Sequence, residues 1–272
     1  MSPATSSGRS GPKVATLAFH EVTDDPTATG FQRPGAVPFT LSRASFERHL
    51  EQIAQGPSRP ALVTTLDLSA AGRHVLLTFD DGGKSALYAA DALSERGWRG
   101  HFFIVTGLIG NRTFLGKDEI RRLHGAGHLI GSHSETHPDI FRELPVWRMR
   151  EEWRESANRL ADLLGVPCRS ASVPGGEISR VVLESAAAGG FDFLFTVEPE
   201  PRPRRVQDCW VLGRCLIKAR TPPAQVNALV NFQGWQRALA IRRLKMLARR
   251  SCPLLYRNVV SRRTREWKRG VD

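Results

Sequence analysis

An α/β fold on a parallel sheet is the class this sequence predicts, and three observations carry that prediction. Short apolar runs alternate with amphipathic stretches from residue 14 to residue 232, the pattern of strands joined by helical crossovers. At 272 residues with 41% apolar content the chain has the size and composition for one large α/β domain or two small ones. Asp80-Asp81, His133 and His137, Pro174-Gly175 and Glu198 all follow apolar runs directly, where parallel sheets deliver functional side chains to one end. Periodicity alone does not separate an open sheet from a closed barrel.

The elements follow in order. Residues 14–19 read as a strand ending at His20-Glu21, and 23–38 as a Pro/Gly/Thr-rich loop. Residues 42–54 read as a helix with Phe46, Leu50 and Ile53 on one side and Ser42 as N-cap. A strand at 75–80, a helix at 85–96 stopped by Gly97, a buried strand at 100–106, a helix at 117–126 and a strand at 128–132 come next. A long helix spans 146–164, with Trp153, Leu160 and Leu164 at helical spacing. Strands at 171–174, 191–196 and 210–217 and helices at 179–189 and 222–232 complete the pattern.

Two strings carry chemistry. Thr78-Phe79-Asp80-Asp81-Gly82-Gly83 ends an apolar run with adjacent carboxylates, and His133-Ser134-Glu135-Thr136-His137-Pro138 offers two imidazoles at i and i+4. On a helical turn that spacing puts both rings on one face, although Pro138 disfavours helical geometry at His137. One carboxylate and two imidazoles make a three-ligand divalent-metal site, zinc by default, with cobalt, nickel and iron compatible. The second carboxylate then stands beside the metal as a base. Taken singly, Asp-Asp-Gly-Gly is a common turn and His-x-x-x-His a common solvated pair. Their joint placement after strands gives them weight.

Together these strings resemble the polysaccharide deacetylase family, also called the NodB homology domain, and the resemblance extends over roughly residues 14–225. Ser172-Val173-Pro174-Gly175-Gly176 falls where the family's third motif belongs. The resemblance implies a distorted, incomplete (β/α) barrel. It implies Asp81, His133 and His137 as metal ligands, Asp80 as general base, and Ser172, Pro174 and Gly175 as substrate-binding residues. The activity it implies is metal-dependent removal of N- or O-linked acetyl groups from a carbohydrate or polysaccharide precursor. The alternatives are a hydrolase of another non-peptide C–N bond and a catalytically weak glycan-binding domain.

Three departures from the family pattern stand out. The arginine that often precedes the third-motif proline by two residues is replaced by Ser172. The late histidine that protonates the leaving group has no counterpart in Leu216-Ile217-Lys218-Ala219-Arg220-Thr221. The aspartate- and tryptophan-bearing fourth motif is not recognisable. His20, at the end of the first strand, is the substitute candidate for the acid, against a competing reading as a buried or capping histidine.

The net charge of +12 is uneven: residues 237–272 hold twelve Lys/Arg against two acids. The chain therefore reads as a flexible N-terminus at 1–13, a domain at 14–235 and a basic, helical tail at 236–272, with the charge assigned to the tail and not to the site. The tail reads first as a solvated helix packed by its apolar face. An anionic membrane surface comes second and nucleic acid third, because no recognition motif accompanies the charge. Cys168, Cys209, Cys215 and Cys252 form no C-x-x-C pair, which argues against a zinc ribbon. Residues 1–12 lack the apolar core of a signal peptide. The expected location is cytoplasmic, with a peripheral position on the inner membrane surface as the alternative, and the expected substrate is intracellular.

Overall fold

The structure, a computed structural model, describes residues 11–264 apart from 177 and 252. The elements are β1 (Lys13–Phe19), β2 (Glu21–Val22), β3 (Thr40–Leu41), α1 (Arg43–Ala54), β4 (Arg73–Phe79), α2 (Ala86–Glu95) and β5 (His101–Ile104). They continue with α3 (Lys117–Gly125), β6 (Leu129–Ser132), α4 (Val146–Leu164), β7 (Ser170–Ser172), α5 (Arg180–Ala188) and β8 (Phe193–Phe195). The last are β9 (Arg204–Val206), β10 (Cys209–Leu212), β11 (Cys215–Leu216), α6 (Pro223–Val230), α7 (Trp235–Ser251) and α8 (Pro253–Thr264).

The main sheet runs β11-β1-β4-β5-β6-β7-β8-β10-β9 and is parallel except for the β9–β10 pair. Its closure follows from the chain. β11 pairs with β1 and β10 with β8, at opposite ends of the parallel run. Only Gly213 and Arg214 separate the two strands in sequence, and that link spans roughly 10 Å at most. The sheet must curl until its ends nearly meet, giving the incomplete (β/α) barrel. The single strand expected at 210–217 is thus broken at the seam. Gly213 is required there, since a Cβ would lie 2.2 Å from the Glu198 carbonyl oxygen.

Both strand faces are buried, which is why the strands read as continuous apolar runs. The outward set, including Leu17, Phe19, Val75, Leu77, Phe79 and Phe102, packs with α1 and α2 residues in the largest core cluster. The inward set, Val14, Leu76, Phe103, Phe195 and Leu212, fills the barrel floor with Val63 and Leu68. Pairing registers join Thr78 to His101, Phe103 to Gly131 and Ser172 to Phe195 to Leu212. With a side-chain period of two, the next inward positions toward the strands' carboxyl ends are Asp80, His133 and Arg214, level with Ser172. The barrel's own alternation therefore sets the site. α1 begins as expected, with the Ser42 hydroxyl accepting from the Ser45 N–H.

Candidate active site

Asp80 and Asp81 directly follow β4, and continued strand alternation would send them to opposite sides. Asp81 escapes by adopting φ +76°, a left-handed conformation that Asp tolerates better than most residues. Its carboxylate then turns inward: Oδ1 lies 3.3 Å from His133 Nε2 and 3.6 Å from His137 Nε2. Gly83 follows where a Cβ would strike the Glu21 carboxylate at 2.3 Å.

The segment after β6 is a short, irregular turn, as Pro138 led one to expect, and not a helical one. Ser134 and His137 take φ +64° and +52°, and this reversal, with Pro138 behind it, brings the imidazoles to a centroid separation of 5.1 Å. Backbone N–H groups there need partners. The Ser134 N–H donates to Ser132 Oγ, and the His137 N–H to Ser134 Oγ. Glu152, buried on α4, accepts from the N–H groups of Glu135 (3.0 Å) and Thr136 (2.8 Å) and from the Thr136 hydroxyl (2.6 Å). Arg148 balances its charge at 3.0 Å. No sequence signal separated Glu152 from the other acids of that helix.

His133 Nδ1 lies 3.0 Å from the Ser172 carbonyl oxygen. A carbonyl can only accept, so the proton is on Nδ1 and Nε2 is free to ligate. Donor atoms of Asp81, His133 and His137 all lie within 4.8 Å of one another, and the three residues are buried. Burial pushes the His137 pKa down to about 3, against the pull of Asp81, which keeps the ring neutral as ligation requires. Burial acts to raise the Asp81 pKa, but His133, His20 and His137 outweigh it and hold the group below the usual carboxylate range. Burial acts to lower the His133 pKa, but Asp80 and Asp81 outweigh it and raise it, so ligation at Nε2 competes with a proton. The set fits a divalent cation in donor type and spacing.

Asp80 is paired with a residue that the sequence reading missed. Arg214, wholly buried at the seam, donates from Nη1 to Asp80 Oδ1 (2.7 Å) and from Nη2 to Oδ2 (2.8 Å). It also donates to Thr78 Oγ1, Ser172 Oγ and the Thr196 carbonyl. Burial acts to raise the Asp80 pKa, but Arg214 and His133 bring it below its ordinary value. The charge missing at position 172 is supplied from β10–β11. Its only sequence signal was a lone cation in the apolar run 209–217.

A cavity of about 880 Å³ opens above these residues. His20, Asp80, Asp81, His133, His137 and Gly175 line it. Of the third-motif residues read as substrate-binding, Gly175 lines the cavity, whereas Pro174 and Ser172 lie outside that lining. Ser172 is fully buried and bonds Arg214 and Asp80 instead, because strand alternation turns it inward below the cavity. His20 packs against Phe39 with the rings tilted and centroids 4.8 Å apart, and its Nδ1 has no hydrogen-bond partner. Burial lowers the His20 pKa, with Asp81 and Asp80 acting in the opposite direction. Glu21 accepts from the Gly30 N–H and the Ser85 hydroxyl, and burial pushes its pKa up to about 7. These bonds anchor the 23–39 segment, whose Phe31 meets the His137 ring at 5.0 Å.

The family model described as polysaccharide deacetylase matches residues 68–194. These residues belong to the polysaccharide deacetylase family. The Asp-Asp and His-x-x-x-His strings lie inside the matched segment, while His20, Arg214 and α7 lie outside it. YxkH of Bacillus subtilis, named as a polysaccharide deacetylase, is 23% identical over 166 residues, 58% of this chain and 59% of that protein. A chitooligosaccharide deacetylase of Rhizobium leguminosarum bv. trifolii is 32% identical over 87 residues, 30% of this chain and 39% of that protein. The match thus spans less than two thirds of either relative. Among solved structures, a polysaccharide deacetylase from Bacillus cereus superposes with TM-score 0.67 at 20% identity, covering 81% of this chain and 69% of that one. IcaB from Ammonifex degensii gives 0.66 at 21%, covering 81% and 98%. At these identities the likeness establishes the shared deacetylase fold.

Proposed function

We propose that this polysaccharide deacetylase-family protein is a metal-dependent hydrolase that removes acetyl groups from an acetylated carbohydrate. We assign the N-acetyl amide as its bond and zinc as its ion. The observation that carries the reading is the Asp80–Arg214 pair held beside the Asp81, His133 and His137 donors. A binding domain needs metal ligands or polar contacts. It does not need a second, forked carboxylate aimed into the same cavity.

Asp81, His133 and His137 would hold the metal, which when bound supplies Lewis-acid polarisation of the acetyl carbonyl and of water. Asp80, kept ionised and oriented by Arg214, takes the proton of the attacking water. Burial holds His20 neutral in the free site, so it takes up a proton only as the reaction delivers one and returns it to the departing amine. The C–N bond breaks, and acetate and a free amino sugar result. The Rhizobium relative's name, a chitooligosaccharide deacetylase, supports an acetylated amino sugar as substrate.

The test is metal content by elemental analysis beside acetate release from a panel of acetylated sugars, for wild type, His133→Ala and Asp80→Asn. Near-stoichiometric metal and acetate release are expected in the wild type. Metal should be lost in His133→Ala, and it should be retained in Asp80→Asn with turnover lowered about 10²–10⁴-fold. Failure to bind metal after zinc is restored would refute the reading. Metal binding without turnover of any acetylated sugar would refute the deacetylase assignment.

A further inference from the structure

The basic helix is part of the cleft. Arg237, Ala238, Ile241, Arg242 and Lys245 line the cavity, and their spacing of three and four places them on one face of α7. Arg242 fixes that face to the barrel, donating to Glu198 Oε1 (3.0 Å) and to the Gly176 carbonyl (2.8 Å). The expectation of a tail separate from the site is corrected here, because an apolar and cationic stripe one helix-face wide covers the opening.

The cavity is electrically two-ended. Asp80, Asp81 and the imidazoles form its floor, whereas Arg33, Lys218, Arg237 and Lys245 line it from the 23–39 segment, the stretch after β11, and α7. Arg33 faces Asp139 at 3.7 Å. Arg237 and Lys245 are exposed, and neither is in an ion pair with a described acid. They stand eight residues apart, about 12 Å along the helix, on long side chains that reach the same mouth. A neutral sugar has no use for this charge, which focuses a positive potential at the entrance. Guanidinium and ammonium groups together suit a multiply charged phosphate better than a single carboxylate.

We infer that the cleft takes an acetylated sugar carrying a phosphate or diphosphate ester, with the acetyl group on the metal floor and the ester at the α7 rim. This rests on the deacetylase reading and narrows its substrate. Two sources share the chemistry, a lipid-borne and a nucleotide-borne sugar. The apolar side chains of Ile241, Leu244 and Leu247 are exposed on the same helix, so the substrate's second substituent is a variable to measure.

The experiment compares kcat/KM of the metal-loaded full chain for four N-acetylhexosamine glycosides: a neutral methyl glycoside, a carboxymethyl glycoside, a decyl phosphodiester and a uridine diphosphate ester. Each is run with wild type, Arg237→Ala/Lys245→Ala and the outward-facing control Arg243→Ala. The phosphorylated probes are expected to be favoured at least tenfold over both others at low salt. That ratio should fall about tenfold in the double variant, shrink at high salt and persist in Arg243→Ala. Preference for the decyl or the uridine ester identifies the source. Parity between phosphorylated and neutral probes, parity with the carboxylate, or a preference that survives the double substitution would each overturn the inference. If no probe releases acetate, the deacetylase reading fails separately. Calorimetric binding of the two phosphorylated probes then decides this proposal, with tenfold weaker binding to the double variant sustaining it and equal binding overturning it.

Discussion

Arg214 shows how one residue resolves a departure that the sequence posed. Ser172 left the base without its expected cation, yet the guanidinium arrives from a position 134 residues beyond Asp80 and makes a two-toothed contact with it. Both partners are buried, so the pair is not a replaceable surface ion pair. Removing one partner strands the other charge at a cost of about 3–5 kcal/mol. Lysine preserves charge but not the fork. Arg214→Lys is therefore expected to keep metal binding while lowering kcat about 10²-fold, and Arg214→Met to lower the denaturation midpoint as well. In both, the acid limb of the pH–rate profile should move up, because a less stabilised Asp80 protonates more readily. A limb that stays in place would show that Arg214 serves the fold alone. The pair was illegible in sequence for a geometric reason. Asp80, His133 and Arg214 share a level only through the barrel's registers, whereas Asp80-Asp81 and His133/His137 announce themselves within six residues each. Ser172 was legible as a site residue but not as a buried one, because its motif does not say which face of β7 it occupies.

At the scale of elements, the ligand loop depends on a helix that never touches the metal set. α4 supplies Glu152, which takes two backbone N–H groups and a hydroxyl from residues 135–136. The loop's two positive φ values lie either side of this clamp. Such backbone costs about 1–3 kcal/mol per residue and persists only where surroundings over-determine it. Glu152→Gln keeps one oxygen for the two N–H groups but puts a donating amide where Oε1 accepts from the Thr136 hydroxyl and pairs with Arg148, so the ion pair is lost and the clamp weakens. Metal affinity is expected to fall 10–100-fold, measured by chelator competition, with a modest loss of stability. Unchanged affinity would assign the loop's shape to its own residues. The helical elements themselves were read from sequence nearly to the residue, as α1, α4 and α5 illustrate, because amphipathic spacing and capping are local signals. The break between β10 and β11, and the placing of α7 across the mouth, are decided by long-range closure and by an Arg242–Glu198 contact that no local pattern encodes.

For the whole molecule, barrel closure traps titratable groups whose opposed demands set the pH range of the fold. His101 lies wholly inside, with Nδ1 donating to the Leu77 carbonyl and Nε2 accepting from the Val63 N–H. Protonation would break the second bond and place a charge on the barrel floor, and burial pushes its pKa down to about 4. Below pH 6.5 the unfolded chain binds this proton and the folded one does not. The contribution of His101 is thus complete above pH 6.5 and falls by up to roughly 3 kcal/mol as pH drops to about 4. His128, also pushed down by burial to about 4, acts in the same direction. Glu21 acts oppositely. Burial raises it from 4.5 to about 7, so the folded state holds its proton longer and stability declines as pH rises across that interval. The wild-type curve is a sum of these terms, and the informative quantity is a difference. Denaturant midpoints of wild type and His101→Gln, measured from pH 4 to 8, should lie furthest apart near neutrality and converge toward pH 4, because the variant lacks the group that protonates on unfolding. A gap independent of pH would mean that His101 contributes packing and hydrogen bonds but no titration, and that its neutral state is not what closure of the barrel enforces.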